Sequence, residues 1–354
     1  MKKLISIVLL LSVLLTLLAS CEQTNPEEKP QGNGKTQSAT WYEYFGTVSV
    51  VQSFAGDSED SFSATSSRVK ELLDNYHRLY DIYHEYSGIN NIKTINENAG
   101  ISPVKVDRAI IEMLKFGIEV YELTDGEVNI MMGAVLRLWH DAREGNGDGT
   151  YSLPSDESLI EASMHTSITS LVIDEKESTV FITDPNASLD VGAIAKGYAT
   201  DKIAEAITSD KSLASDGYVL NIGGNIKMIG SKQGADWRIG ITNPDKTSPE
   251  KYATMIATRN TSVVTSGDYE RYFVVDGKSY HHIIDKDTLY PAKNYHSITI
   301  VTESSALADA LSTALFCMDK NAGYDFISRL DGVEAYWIST TGNPVSSPGF
   351  PLTD

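Results

Sequence analysis

Apolar and polar positions fall into short, distinct patterns along this chain. From Tyr42 to Phe54 apolar residues roughly alternate through FGTVSVV, the period of a half-buried strand. Between residues 66 and 86, Val69, Leu72, Leu73, Tyr76, Leu79, Tyr80 and Tyr83 recur at spacings of three and four, which predicts one apolar face of a helix. A second helix fits Asp107 to Leu123. Ser155, after Pro154, heads a third, short one with Asp156 and Glu157 in its first turn, where the helix dipole favours acids. SLVID and TVFIT flank the polar stretch Glu175 to Ser178 and predict a β-hairpin. From residue 217 to 302 short strand-like runs dominate (YVLNIGG, WRIGI, YATMIA, SVVTS, RYFVV, HHIID and HSITIVT), and helical spacing returns from Ser304 to Met318. Runs of strands separated by helix pairs, without regular alternation of the two, predict an α+β fold of mixed helices and antiparallel sheets rather than a doubly wound sheet.

The N-terminus reads differently. Lys2 and Lys3 precede an apolar run of 16 residues from Leu4 to Ala19, short of the ~20 needed to span a membrane, and this predicts a secretory signal over residues 1–20. Leu18-Ala19-Ser20-Cys21 resembles the lipobox of bacterial lipoproteins, which implies that Cys21 is lipidated and becomes the first residue of an exported, membrane-anchored protein. The following stretch EQTNPEEKPQGNGKTQSAT has no apolar periodicity, so residues 21–40 are expected to form a flexible tether reaching roughly 25 Å. Residues 41–354 are left as the folded body. Charge narrows the partners: 29 Lys and Arg stand against 48 Asp and Glu, a net charge of -19, and loss of Lys2 and Lys3 with the signal makes the balance more acidic still. That argues against nucleic acid, whose phosphates need basic residues. Two cysteines, Cys21 and Cys317, in unlike surroundings argue against a disulfide framework.

No GxGxxG, GxSxG or HExxH occurs, so a Rossmann site, a nucleophile elbow and a zincin have no support. Gly192 to Gly197 is not a Walker A loop, because Lys196 precedes the second glycine and no Ser or Thr follows it. Glu144, Asn146, Asp148 and Gly149 mimic half of an EF-hand loop, but the twelfth position is Ser155, and a solvated turn is expected. Four clusters remain, each with a structural alternative. In LDVGAIAKGYATD, Asp190 ends a short apolar strand and two glycines bracket a turn that can start a helix. Exposed amides with Lys196 beside them suit a phosphate, or form a turn with a solvated lysine. In VLNIGGNI, Gly223 and Gly224 let a backbone pass close to a ligand or to another strand. In SGDYERYFVVDGKSYHHIID, adjacent His281 and His282 would face opposite sides of a strand, which argues against a zinc pair and leaves one of them as a general base, a phosphate contact or a plain strand histidine. In LADALSTALF, Asp309 and Thr313 share a helical face among apolar residues. A buried unpaired carboxylate is costly, and Mg²⁺, a cap or a salt bridge would relieve it.

Together, in this order, these segments resemble the ApbE family of flavin transferases. The resemblance runs from about Phe45 to beyond Phe316 on eight landmarks: YFGTVSVV, YHEYSGIN with NENAG, DGEVNIMMGAVLRLW, LDVGAIAKGYATD, VLNIGGNI, TSGDYERYF, HHIID and ADALSTALF. It implies a single ApbE-like, T-fold-related catalytic body that transfers FMN from FAD to a threonine of a target protein with Mg²⁺, releasing AMP. Flavin and nucleotide contacts would fall on Phe45, Tyr83, Glu127, Val128, Asn129, Asp190, Lys196 and Ile284. Metal ligands would be Asp309, Thr313 and the backbone carbonyl of Ala193, with His282 as base and Lys196 neutralising phosphate. Acceptors would be exported subunits of respiratory Na⁺ or electron-transfer complexes, or other exported flavoproteins. Three departures from the family pattern stand out: Phe45 where Met is usual, Asn129-Ile130-Met131-Met132-Gly133 for Asp-Ile-Thr-Val-Gly, and Asp285-Lys286-Asp287-Thr288-Leu289 for Asp-Pro-x-Thr-Gly. Water in place of threonine would make the protein an FAD pyrophosphatase, and loss of chemistry a flavin-binding lipoprotein.

Overall fold

A computed structural model describes residues 36–353 except 55–57, 146, 148, 214–216 and 233. The expected signal segment, the Cys21 lipidation site and the tether up to residue 35 lie outside the described residues, as do Asn146 and Asp148 of the half EF-hand motif. In chain order the strands are β1 (Gln37–Trp41), β2 (Ser49–Ser53), β3 (Val104–Lys105), β4 (Leu171–Asp174), β5 (Thr179–Ile182), β6 (Gly217–Ile222), β7 (Asn225–Gly230), β8 (Trp237–Thr242), β9 (Tyr252–Thr258), β10 (Ser262–Gly267), β11 (Tyr272–Val275), β12 (Lys278–His281), β13 (Tyr295–Thr302), β14 (Glu334–Ser339) and β15 (Val345–Ser346). The α-helices are α1 (Glu59–Tyr80), α2 (Ile92–Glu97), α3 (Arg108–Leu123), α4 (Gly133–Glu144), α5 (Asp156–Ser163), α6 (Ala195–Ser209), α7 (Ser305–Cys317) and α8 (Lys320–Ile327).

The frame is an eight-stranded sheet in the order β1-β2-β6-β7-β10-β13-β14-β15, antiparallel throughout. Period-two alternation splits its side chains between two layers. Tyr218, Leu220 and Ile222 of β6 meet Leu72 and Leu73 of α1 and Ile203 and Ile207 of α6. Further along, Val264, Ile298 and Ile300 meet Ala308, Leu311 and Leu315 of α7. Their neighbours Val263 and Val301 belong instead to a cluster with Trp237, Ile241 and Ile256 of the β8–β9 hairpin. Each such aliphatic or aromatic side chain contributes roughly 1.5–3 kcal/mol on full burial. The small sheet β3-β5-β4 packs with α2 and α3 over Ile110, Met113, Leu114, Val180 and Ile182, and Ile194 ahead of α6 joins the same cluster. The α+β expectation and the hairpin of SLVID with TVFIT are both found.

Several boundaries differ, each for a long-range reason. Gln37–Trp41, placed mostly in the tether by composition, pairs with β2 from Gln37↔Ser53 to Trp41↔Ser49. An edge strand needs backbone partners more than apolar side chains, and Ala39 and Trp41 still pack partly against the core. The strand expected over Tyr42 to Phe54 is confined to Ser49–Ser53, because Phe45 and Gly46 reverse the chain at φ 53° and 60°. The first helix starts earlier than its apolar face, at a cap where Ser58 Oγ accepts Ser61 N–H at 3.1 Å. It stops at Tyr80, so Tyr83 stands in the following loop. Gly223 and Gly224, at φ 57° and 89°, make the two-residue β6–β7 turn, and a Cβ on Gly223 would lie 2.5 Å from Thr47 Cγ2. The close approach there is to another part of the chain.

Asp201 of α6 determines where α7 begins. Its carboxylate accepts Ser304 Oγ at 2.7 Å and the N–H groups of Ser305 and Ala306, each at 2.9 Å, and pairs with Lys227 Nζ at 3.0 Å. An acid at a helix N-terminus satisfies otherwise orphaned amides and complements the dipole. Asp201→Ala should therefore destabilise the protein by roughly 2–3 kcal/mol in chemical denaturation; a loss below about 0.5 kcal/mol would show that the remaining Ser304 cap suffices.

Candidate active site

The centre of the site is the crossing of α6 and α7. Ahead of α6, Asp190 N–H donates to Ile130 O and Asp190 Oδ1 accepts Gly192 N–H, both at 2.8 Å, so the carboxylate shapes the turn that starts the helix. Gly197 then lets α7 come against α6: a Cβ there would lie 2.3 Å from Ser305 O and 2.7 Å from Asp309 Cβ. At this crossing Asp309 Oδ2 accepts Gly197 N–H at 2.9 Å, and Lys196 Nζ lies 3.1 and 3.2 Å from the two carboxylate oxygens. Asp309 is only 4% exposed. The buried carboxylate that the sequence leaves without a counter-charge thus has one, supplied from 113 residues away. Thr313 Oγ1 lies 3.4 Å from Asp309 O, one turn along the same helix, and Ala193 is half-buried in the turn before α6. Among the described residues no three His, Cys, Asp or Glu side chains are placed so that they could hold a metal ion together. A cation here would take Asp309 and neutral oxygens, a donor set that fits a hard ion such as Mg²⁺.

The two adjacent histidines do different jobs. His281, at the end of β12, is buried: Ala292 O lies 2.7 Å from its Nε2, and its Nδ1 accepts Ile283 N–H at 3.2 Å. That arrangement fixes a neutral imidazole with its hydrogen on Nε2, and burial holds its pKa below the usual range. His282 lies just past the strand, so strand alternation does not govern it. Its Nδ1 is buried with no hydrogen-bond partner among the described residues. Burial, then Arg271, His281, Arg143 and Lys196, push its pKa down to about 3. The imidazole is therefore neutral with an acceptor nitrogen to spare, and the cations around it weaken it as a base until an anionic phosphate enters among them and offsets their charge.

The remaining candidates divide by side-chain exposure. The Tyr83 ring is 51% exposed and stacks on His140, centroids 4.7 Å apart and planes at 29°; partial burial and the nearby Asp190 carboxylate push its hydroxyl up to about 12. Burial likewise raises the Asp190 carboxyl, opposed by the Gly192 N–H and the His140, Arg271 and Arg143 side chains. Phe45 holds a left-handed backbone at φ 53°, a conformation that costs a non-glycine residue about 1–3 kcal/mol. Burial raises the Glu127 carboxyl, opposed by the Lys286 ammonium 3.3 Å away. Val128 and Ile284 are buried in the packed interior and offer a ligand only backbone atoms. Asn129 ties its loop together, with Oδ1 on Met131 N–H at 2.9 Å and Nδ2 on Thr166 O at 2.8 Å. A cleft of about 450 Å³ opens between Asn129, Met132, Lys286 and Leu289. Leu289 sits at φ 60°, the conformation its family-typical glycine adopts freely, and is held there by Leu289 N–H to Asp285 O and Trp139 Nε1–H to Leu289 O, at 2.8 and 2.9 Å. On α7, Cys317 Sγ lies 3.7 Å from Ile284 O.

Lys196, Asp309 and Thr313 are thus brought together with His282 nearby, and Tyr83 lies close to Asp190. The sequence reading missed His140, Arg143 and Arg271. The first two lie on α4, whose Val135, Leu138, Trp139 and Ala142 carry helical spacing that would have revealed it.

Comparison with known proteins identifies the family. The model of the ApbE family matches residues 45–337. An FAD:protein FMN transferase of Treponema pallidum is 34% identical over 262 residues, 70% of each chain. One of Haemophilus influenzae is 27% identical over 351 residues, covering 97% of this chain and 95% of its own. The crystal structure of the ApbE protein of Thermotoga maritima superposes with a TM-score of 0.77 at 29% identity, covering 89% of this chain and 97% of that one. The flavin transferase ApbE of Vibrio cholerae shares the fold, with a TM-score of 0.73 at 24% identity over 90% of this chain and 98% of that one. The chain belongs to the ApbE family.

Proposed function

We propose that this protein transfers FMN from FAD to a threonine hydroxyl of an exported acceptor protein and releases AMP. Family membership and the relatives named FAD:protein FMN transferase support the reaction class. The observation that carries the reading is the Lys196–Asp309 pair at the start of α6, with the unpartnered Nδ1 of His282 nearby. In the reaction the threonine Oγ bonds to the FMN phosphorus, the bond from that phosphorus to the bridging oxygen breaks, and the electron pair leaves with AMP. His282 takes the hydroxyl proton. Lys196 places positive charge on the diphosphate, and Phe45, Tyr83, Asp190 and the backbone around Glu127–Asn129 and Ile284 hold the dinucleotide. Asp309, Thr313 and the Ala193 carbonyl would hold Mg²⁺, which when bound supplies further charge neutralisation. For the protein's own residues, positioning and electrostatics are the main catalytic work. Purified protein with FAD and Mg²⁺, with and without a threonine-containing acceptor, should yield one AMP for each FMN fixed. AMP with free FMN in the presence of acceptor would favour a pyrophosphatase, and FAD binding without AMP a passive flavin carrier.

Substitution at the crossing tests the assignment of the charges. Asp309→Asn keeps size but removes the charge, and it should lower AMP release at least about 100-fold, with Thr313→Val losing less. A folded Asp309→Asn protein with near-normal turnover and an unchanged Mg²⁺ requirement would remove Asp309 from the site.

His282 makes a pH-dependent prediction. Its folded pKa of about 3 lies below the ordinary 6.5, so the unfolded chain binds the proton first. Stability is complete above about pH 6.5 and drains as pH falls toward 3. His282→Gln should lower kcat roughly 10²–10⁴-fold and flatten the acid limb of a denaturation series. Equal acid sensitivity in wild type and variant would assign that limb to other groups.

The lipobox resemblance at Cys21 supports an exported lipoprotein anchored by acyl chains, each buried CH₂ contributing ~0.8 kcal/mol. Cys21→Ser should release the protein from membranes with its activity intact, scored by fractionation. Persistent membrane association would show a different anchor.

A further inference from the structure

Phe45 and Tyr83, the two aromatic positions of the proposed flavin site, are joined by one chain of hydrogen bonds. Phe45 N–H donates to His77 Nδ1 at 3.3 Å. A ring nitrogen that accepts carries no hydrogen, so neutral His77 has its hydrogen on Nε2, directed at Tyr86 Oη 3.2 Å away. Tyr86 in turn donates its hydroxyl hydrogen to Asp81 Oδ2 at 2.7 Å. At the far end Asp81 Oδ1 accepts the N–H groups of Tyr83 at 2.7 Å and His84 at 3.1 Å. The donors converge on Asp81, from the strained Phe45 backbone through His77 and Tyr86 on one side and from the Tyr83 and His84 amides on the other.

The surroundings allow little play. The His77 ring is met edge-on by the rings of Tyr44, Phe45 and Tyr86, with centroids 6.0, 5.7 and 6.0 Å away. Asp81 is 8% exposed, and Asn91 Nδ2 clamps its loop by donating to Arg78 O at 3.1 Å and His84 O at 2.8 Å. The proton states agree with these donor and acceptor roles. Burial holds His77 below its usual range, against the pull of Asp81 and Asp74. Burial and Asp81 push the Tyr86 hydroxyl up to about 12. Burial alone would raise Asp81, yet the Tyr83 N–H and the Tyr86 hydroxyl keep its carboxyl below the ordinary value. A loop that needed only to be stable could end α1 on water and avoid a buried carboxylate; this one buries Asp81, whose carboxylate holds Tyr86, the Tyr83 amide and both the amide and ring of His84.

We propose that His77, Tyr86 and Asp81 are positioning residues for the flavin: one hydrogen-bond chain converging on the Asp81 carboxylate holds Phe45 and Tyr83 in register, setting affinity for the isoalloxazine end of FAD rather than the rate of phosphoryl transfer. The proposal rests on the flavin-transfer reading above. Tyr86→Phe keeps the ring edge and cuts the chain at one atom, and His77→Phe keeps the aromatic packing and removes both of its links. FAD affinity, read by flavin fluorescence quenching and as KM for AMP release with Mg²⁺, should weaken roughly fivefold in the first and tenfold or more in the second, with kcat at saturating FAD within about twofold. A lowered melting temperature with KM and kcat unmoved, or kcat falling while KM holds, would overturn the positioning role. Wild-type protein that does not quench flavin fluorescence would overturn the flavin reading and the proposal with it, whereas wild-type binding matched by both variants would overturn the proposal alone.

Discussion

The structure depends on how closely two helices can approach. Gly197 has no side chain, and α7 uses that space so fully that any Cβ would strike the Ser305 carbonyl. Only at this separation does the Gly197 amide reach Asp309, and only then does Lys196, the preceding residue, reach the same carboxylate. Asp201, one turn further along α6, holds the first amides of α7 and so fixes its height along α6. Backbone proximity and a cap together place one lysine and one aspartate; the sheet beneath supplies the apolar contacts that keep both helices down.

An enclosed ion pair of this kind adds little to net stability, since removing two charges from water offsets most of their attraction. Its consequence is one of readiness. On the proposed reading, the Lys196 ammonium is held in a partly dry setting where a diphosphate would attract it more strongly than a solvated lysine, and Asp309 beside it is in place for a cation. The same economy separates the two histidines: His281 closes a turn with both ring nitrogens, leaving the neighbouring imidazole uncommitted.

Much of this was legible in the sequence wherever the signal is local. The α3, α5 and α7 helices announce themselves by period and cap, the β4–β5 hairpin by alternation around a polar turn, and the lysine and aspartate of the crossing by the motifs around them. Features that depend on distant partners were hidden. The polar run QSATW gives no hint that it will pair along β2. Nothing near Asp309 in sequence names Lys196 as its partner, and the Asp201 side chain looks like any exposed helical acid until Ser304 arrives. Tyr83 continues the helical spacing of α1 although the helix has ended, because Asp81 captures the next amides for itself.

Cys317 shows what the packing permits beyond catalysis. Its thiol is close to the Ile284 carbonyl, and burial raises its pKa, so the thiolate that would attack a disulfide or react with an oxidant is scarcely populated. Exchange also needs access for a second sulfur along the line of attack, which its half-buried position restricts. The one cysteine among the described residues is thus half-buried and kept protonated, which leaves an oxidant little thiolate to meet.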